Sequence, residues 1–181
     1  MQFYELNLCG LRRDLPLVAI SPKVKIASFN LLGDRELVES VAQEFARNID
    51  PHSFDLLVGP EVKVVPLLQE LSRLLKKGIY VVCRKQIHGY MVNPVRSSEN
   101  NGLVINGPDA GLIRDHRVIL VDDVVTTGAT INILRKMIEK IGGRIVSEIA
   151  VLKQGDTPIT AGQNITFLGH LPFFDEDGKE K

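Results

Sequence analysis

The chain has 181 residues, 44% of them hydrophobic, which is enough for a full core, and we expect one domain. Its 22 basic and 22 acidic residues give a formal net charge of zero, which makes nucleic acid an unlikely partner. No apolar run approaches the roughly 18 residues of a membrane span, and no signal peptide is evident. Cys9 and Cys83 lack metal-ligand spacing. From these features we expect a cytoplasmic protein with no membrane partner.

The first 33 residues are difficult to assign to a core sheet, because short apolar pieces are interrupted by prolines such as Pro16. Residues 25–30 are expected to form a short extended segment. We interpret the whole region as a lid over a site. Asp34 is placed to cap the helix that follows, whose apolar residues lie on one face as far as about Ile49.

Two predicted strands come next, and each is followed by residues suited to bind a ligand. Residues 54–58 are an apolar run typical of a buried strand, and the loop over residues 59–66 leads into an amphipathic helix. Residues 79–83 form the second apolar run, which ends in Arg84 and Lys85. These cations would lie at the carboxyl edge of the sheet, where ligands bind in open α/β sheets.

Residues 86–102 lack sustained periodicity and are rich in turn-forming residues. We predict a loop or a weakly paired hairpin there, and loops of this length often serve as lids. A short strand is predicted over residues 103–105 and a turn over residues 106–111.

The stretch 118–130 carries the strongest functional pattern. An apolar, β-branched run predicts a strand buried on both faces of a parallel sheet. Asp122 and Asp123 follow in what we predict to be an acidic turn, and a small-residue loop over residues 126–130 then opens an amphipathic helix. Backbone N–H groups and the positive end of a helix would surround this loop, which makes it a candidate phosphate site.

The two carboxylates cannot help to hold a phosphate, because like charges repel. They are suited to sugar hydroxyls or to a metal ion, so the stretch indicates a phosphorylated sugar as ligand. Further strands are predicted over residues 144–152 and 164–169. Strands and helices therefore alternate after residue 50, which predicts an α/β fold with a mostly parallel sheet flanked by helices.

The stretch 118–130 closely resembles the phosphoribosyl diphosphate (PRPP) signature of the type I phosphoribosyltransferases. In that family the equivalent loop holds the 5-phosphate, and the acidic pair binds the ribose hydroxyls. The resemblance implies a catalytic set of Asp122, Asp123, Arg84 and Lys85. The implied PRPP-binding residues are Glu61, Lys63, Arg84, Lys85, Asp122, Asp123, Val125, Thr126, Thr127, Gly128, Ala129 and Thr130.

Other segments resemble the adenine and xanthine branch of that family. Residues 55–61 look like its strand and diphosphate loop, residues 81–85 like its strand ending in Arg-Lys, and residues 25–30 like its base-covering hood. Residues 168–173 resemble a C-terminal stretch of some purine members. The implied base-binding residues are Ser28, Phe29, Asn30 and Val124, with the Phe29 ring either stacking on the purine or packing in the hood.

These resemblances imply a single phosphoribosyltransferase domain over residues 1–181, with hood segments at 1–33 and 164–174 and a frayed tail at 175–181. The implied reaction joins a purine to ribose 5-phosphate for purine salvage, with adenine as the first choice and xanthine or another oxopurine as the second. Mg²⁺ would enter with PRPP and contact Asp122 and Asp123. The family also implies a homodimer.

A PRPP- or nucleotide-binding regulator without turnover is the alternative function. The family often has a glycine after the basic residue of its first loop, whereas Val64 follows Lys63 in the segment Val62-Lys63-Val64, and this departure favours the regulator slightly. Adenine enzymes also place a glutamate and an aromatic residue in the flexible loop, where this chain has Glu99 and Tyr90. A purely structural role would leave the acidic pair unexplained.

Overall fold

The computed structural model describes residues 1–98, 102–159 and 164–181, so Glu99 lies outside the described residues. The strands are β1 (Phe3–Leu8), β2 (Leu11–Ser21), β3 (Val24–Ala27), β4 (Leu56–Pro60), β5 (Tyr80–Cys83), β6 (Val95–Arg96), β7 (Val104–Ile105), β8 (Arg117–Val125), β9 (Arg144–Gln154), β10 (Ile165–Leu171) and β11 (Phe173–Phe174). The helices are α1 (Arg35–Asn48), α2 (Val65–Leu74), α3 (Gly107–Ile113) and α4 (Ala129–Ile141).

The main sheet has five parallel strands in the order β10-β9-β8-β4-β5. One face packs against α1 and α2, and the other packs against α3 and α4. Each face therefore has its own hydrophobic cluster, as expected when crossover helices cover both sides of a parallel sheet. The predicted α/β fold class is confirmed. Among the described helices, none is long and apolar enough to cross a bilayer.

The chain reaches the main sheet through α1, which begins where the sequence predicts. The Asp34 carboxylate accepts the N–H of Leu37 and caps the helix, and it also binds the Arg13 guanidinium of β2 at 2.6 Å. An N-cap and an ion pair thus share one carboxylate, which fixes α1 against the N-terminal strands.

A second, antiparallel sheet has the order β1-β2-β3-β11, and we call this sheet the hood. Its buried residues belong to the same hydrophobic cluster as those of α1 and α2. Pro16 lies inside β2 without disrupting it. Pairing with β1 ends at Phe3 opposite Pro16, and pairing with β3 begins one residue later at Leu17 opposite Ala27. The missing N–H falls where the strand changes partners, which is why proline is tolerated there.

The C-terminal segments differ from the prediction in two ways. Residues 164–174 were assigned to the hood, but β10 belongs to the main sheet and only β11 pairs with the hood strand β3. The prediction of a frayed tail is wrong as well. The Asp175 carboxylate accepts the N–H groups of Asp177 and Lys179, and the Lys181 N–H donates to the Phe173 carbonyl. The tail is a turn closed by its own aspartate.

Two further local predictions are corrected. The turn predicted over residues 106–111 is the helix α3, in which Pro108 stands in the first turn, where its missing N–H costs nothing, and Ile113 is fully buried. The predicted acidic turn is part of β8, since Asp122 pairs with Ala150 of β9. In the described part of residues 86–102, β6 pairs with β7 just beyond them, which agrees with the hairpin alternative.

Candidate active site

Two adjoining cavities open at the carboxyl edge of the main sheet. The larger, about 550 Å³, has polar lining residues from three separate parts of the chain. The smaller, about 150 Å³, lies in the loop between β8 and α4. Asp122, Val124 and Thr130 line both. The two spaces therefore form one elongated site, with the acidic pair at its middle.

The acidic pair is held by the β8–β9 ladder. Asp122 is only 5% exposed, and its Oδ1 accepts the N–H of Asp123 at 2.9 Å. Burial, followed by the charge of Asp123, raises the pKa of Asp122 to about 8. The pair can therefore hold a proton near neutral pH and give it up when a cation or hydroxyl donor arrives.

The predicted phosphate loop surrounds the smaller cavity, which residues 124–131 line together with Asp122. Gly128 precedes α4 and has φ +82°, a left-handed conformation that glycine adopts without steric cost. The first N–H groups of a helix have no partners within it, and its N-terminus carries partial positive charge. The geometry is therefore suited to an anionic group such as a phosphate.

The loop between β4 and α2 supplies the opposite wall. Lys63 and Lys85 both line the larger cavity, whereas Arg84 is not among its lining residues. The Glu61 carboxylate accepts the Arg84 guanidinium at 3.0 Å and the Lys85 N–H at 2.6 Å. Of the two predicted cations after β5, the structure thus brings Lys85 to the cleft, and Glu61 fixes the turn that carries it.

The backbone at Val64 does not require a glycine. Val64 has φ −83° and ψ −12°, which any residue adopts, and its side chain is buried. The close backbone approach is made at Gly59, where a Cβ would lie 2.6 Å from the Val121 carbonyl oxygen. The glycine that this wall needs therefore precedes Lys63 in the chain.

The predicted base-binding residues lie in different environments. Val124 lines both cavities. Phe29 is only 2% exposed and its ring packs in the core, so stacking on a base does not fit this structure and packing does. The Phe29 carbonyl, in contrast, accepts the Lys63 ammonium at 3.1 Å. Asn30 accepts the N–H of Leu32 through its own side chain, and the Ser28 N–H donates to Pro16 in the hood.

The loop after β5 is fastened at its far end. The Asn106 side chain accepts the Val92 N–H at 2.9 Å, and the Gly107 N–H donates to the Val92 carbonyl. Between these contacts and Arg84, the Tyr90 ring stacks on His88 with centroids 5.5 Å apart, and Tyr90 is 63% exposed. The aromatic residue that was singled out in this loop is therefore held at the surface.

Five residues line the larger cavity without being among the predicted site residues, namely Pro60, Val62, Val64, Leu103 and Ile133. Val62 and Val64 flank the predicted Lys63. Pro60 ends β4, and Ile133 lies one helical turn after Thr130, so the positions of the strand and helix imply both. Leu103 reaches the site because Arg84 and Val104 form an antiparallel bridge. No local pattern in the sequence indicates that long-range contact.

The site suits a metal that enters with its ligand. In the described ranges, no group of three or more His, Cys, Asp or Glu side chains could hold a metal ion. The protein therefore builds no complete cage there. Mg²⁺ usually keeps waters and substrate phosphate oxygens and takes only one or two carboxylates. Asp122 and Asp123 could supply those carboxylates.

Comparison with known proteins gives a consistent result. The Phosphoribosyl transferase domain family matches residues 32–162. HGPRTase-like protein 3 of Haloterrigena turkmenica is 33% identical over 127 residues, which cover 68% of this chain and 66% of that protein. The adenine phosphoribosyltransferase of Nitrosopumilus maritimus is 29% identical over 132 residues, which cover 70% and 75%. The chain thus spans just under two thirds of the first of these curated relatives.

The fold has a solved counterpart. The crystal structure of adenine phosphoribosyltransferase from Thermoanaerobacter pseudethanolicus superposes with a TM-score of 0.65 at 23% sequence identity. The superposition covers 93% of this chain and 95% of that one. This likeness concerns the architecture alone.

Proposed function

Because this chain belongs to the type I phosphoribosyltransferase family and resembles its purine-specific members, we propose that it transfers ribose 5-phosphate from PRPP to a purine base and releases diphosphate. The observation that carries the proposal is the elongated site, in which a phosphate loop, an acidic pair and a wall with two lysines follow one another. This order matches the phosphate, ribose and diphosphate of PRPP.

In the proposed reaction a ring nitrogen of the base attacks the anomeric carbon of the ribose. The bond from that carbon to the diphosphate oxygen breaks, the diphosphate leaves with the electron pair, and the base nitrogen loses its proton. Positive charge develops on the anomeric carbon. The protein contributes by positioning the reactants and stabilising charge, which are effects that a preorganised site supplies.

We assign the roles as follows. Asp122 and Asp123 accept hydrogen bonds from the ribose hydroxyls, and the loop over residues 126–130 holds the 5-phosphate. Lys63 and Lys85 bind the diphosphate, and Glu61 positions the turn of Lys85. We propose that the Arg84 guanidinium reaches the diphosphate only after its contact with the Glu61 carboxylate is broken. Purine phosphoribosyltransferases use Mg²⁺ with PRPP, and when bound it would offset the charge of the leaving diphosphate.

The hood is proposed to cover the base, with the main sheet and the hood forming one catalytic domain. Adenine is proposed as the first substrate, with xanthine or another oxopurine as the second. Relatives named for adenine and for hypoxanthine and guanine are both similar to this chain, so the base has to be decided by experiment. A cytoplasmic homodimer is proposed with the activity.

The test is diphosphate release with PRPP and Mg²⁺, using adenine, hypoxanthine, guanine, xanthine and uracil in separate reactions. We expect turnover with one purine well above the rate without base, and none with uracil. A hydrogen-bonding pocket discriminates sharply between such bases. PRPP binding without release on any base would refute the enzyme and support the regulator.

Gly128→Ala is expected to raise the KM for PRPP by about tenfold, because alanine at φ +82° costs about 1–2 kcal/mol and shifts the phosphate loop. The matched control is Gly142→Ala at φ +96°, where an alanine Cβ would meet only an ordinary contact with Arg114. Both variants should lose similar stability in thermal denaturation. If Gly142→Ala raised the KM equally, the loop would have no special part in binding PRPP.

A further inference from the structure

Lys63 joins two parts of the site that are far apart in sequence. Its ammonium donates to the Phe29 carbonyl of the segment after β3 at 3.1 Å and lies 3.9 Å from the Asp123 carboxylate. The Lys63 side chain is about half exposed. The ammonium thus links the β4–α2 loop to the segment after β3, next to Asp123.

This position conflicts with full use of Lys63 by a diphosphate. An ammonium has three N–H donors, so Lys63 can give all of them to a diphosphate against the β4–α2 loop only by leaving the Phe29 carbonyl, and Asp123 is then taken by the ribose. The Phe29 carbonyl is left without its donor. A polar group that loses its partner in a closed site is destabilising until another donor arrives.

We propose that Lys63 couples the two substrate sites, masking the Phe29 carbonyl while the diphosphate site is empty and exposing it as a base-binding acceptor when diphosphate draws the ammonium away. The proposal rests on the proposed function, because it requires a purine under the hood. The new donor would be a ring or exocyclic N–H of the base. A backbone carbonyl thus becomes part of the base site only after the leaving group is in place.

The coupling has a definite sign. A base that binds alone has to displace Lys63 from Phe29, whereas a base that binds after diphosphate finds the carbonyl exposed. Diphosphate should therefore raise the affinity for base, and base must raise the affinity for diphosphate by the same factor. A charged hydrogen bond of this kind corresponds to a coupling of about tenfold.

The experiment measures adenine binding by calorimetry with and without Mg²⁺–diphosphate, a pair that cannot react because no ribose is present, and hypoxanthine is titrated in parallel. In the wild type we expect about tenfold tighter binding of the accepted base when diphosphate is present. Lys63→Met keeps the length of the side chain and removes its charge. In this variant the base should bind tightly with or without diphosphate, so the factor falls to about one.

Lys63→Arg is the matched control, since it retains a cation and should retain the coupling. A second readout needs no base: hydrogen exchange of residues 26–32 should rise when Mg²⁺–diphosphate binds the wild type and should not change in Lys63→Met. A role limited to stability would weaken base binding in Lys63→Met, and that result overturns the proposal.

The outcomes separate this inference from the proposed function. The coupling alone would be refuted if the enzyme turns over a purine, but diphosphate changes neither its affinity for the base nor the hydrogen exchange of residues 26–32. A protein that releases no diphosphate from PRPP and binds no purine would refute both.

Discussion

Asp122→Asn is expected to lower kcat/KM by roughly 10²–10³-fold while making the folded protein more stable above pH 7. The loss follows because a neutral amide is a poorer acceptor for ribose hydroxyls than a carboxylate. The gain follows because Asp122 is 5% exposed and lies beside a second carboxylate. Asparagine keeps the Oδ1 that accepts the Asp123 N–H, so the local geometry should survive.

The direction of the pH dependence follows from the pKa of Asp122. It is about 8 in the folded protein and has its ordinary value, near 4, in the unfolded chain. Between these values the folded state binds the extra proton, so this group makes stability fall as pH rises from about 4 to 8. Asp122→Asn should remove that decline and raise Tm by about 3–8 °C at pH 8, measured by thermal denaturation across pH 5–9.

Asp55→Asn is the control with the opposite expectation. In the wild type, the Asp55 carboxylate accepts hydrogen bonds from the Arg117 backbone N–H and from two N–H groups of the Arg117 guanidinium. These bonds lower the pKa of Asp55 below its usual range. A lowered pKa contributes stability above the unfolded value, so this variant should be less stable at neutral pH. It lies at the amino edge of the sheet, away from the site, and should keep kcat/KM. A destabilised Asp122→Asn would contradict our account of the pair.

Arg135→Met is expected to lower the free energy of unfolding by about 3–5 kcal/mol, which corresponds to roughly 6–20 °C in Tm. The Arg135 guanidinium of α4 donates two hydrogen bonds to the Glu148 carboxylate of β9, at 2.9 and 2.6 Å. Glu148 is only 5% exposed, so removal of the arginine leaves a buried charge without its partner. Thermal and urea denaturation at pH 7 would measure the loss.

Two variants show whether burial is the cause. Arg73→Met removes a similar forked pair with Glu70, but the Arg73 side chain is 61% exposed, so solvent screens the pair and the loss should be much smaller than for Arg135→Met. Arg135→Met/Glu148→Leu removes both charges and should recover most of the stability. Equal losses for Arg135→Met and Arg73→Met would show that the buried pair has no special weight.

The parts of the molecule that the sequence predicts best are contiguous. The strand, acidic pair, phosphate loop and helix of residues 118–130 follow directly in the chain, so periodicity and residue type suffice to place them. Asp34 as a helix cap is of the same kind. The positions of residues 126–130 and Lys85 follow from the predicted strands that directly precede them in the chain.

The parts that were missed depend on contacts between distant residues. The sequence does not indicate that the hood is a sheet, because Pro16 is typical of a break in a strand unless both partner strands are known. The sequence does not predict the helix α3, because its residues are typical of turns. They form a helix in the folded protein, where Ile113 is buried. The Lys63–Phe29 and Arg135–Glu148 contacts join separate elements, and charge patterns along the chain do not reveal them.

The pairing of β11 with β3 has a consequence for how the protein is made. Phe174 lies opposite Lys25, so this edge of the hood joins residues about 150 positions apart, whereas β1 and β2 are neighbours in a hairpin. Contacts of such long sequence separation form late, since the intervening chain must first be ordered. During synthesis, residues 126–130 of the proposed phosphate loop leave the ribosome before residues 173 and 174 can pair with β3. A nascent chain would therefore contain the residues of the proposed sugar-phosphate site before the hood that we propose for the base is complete.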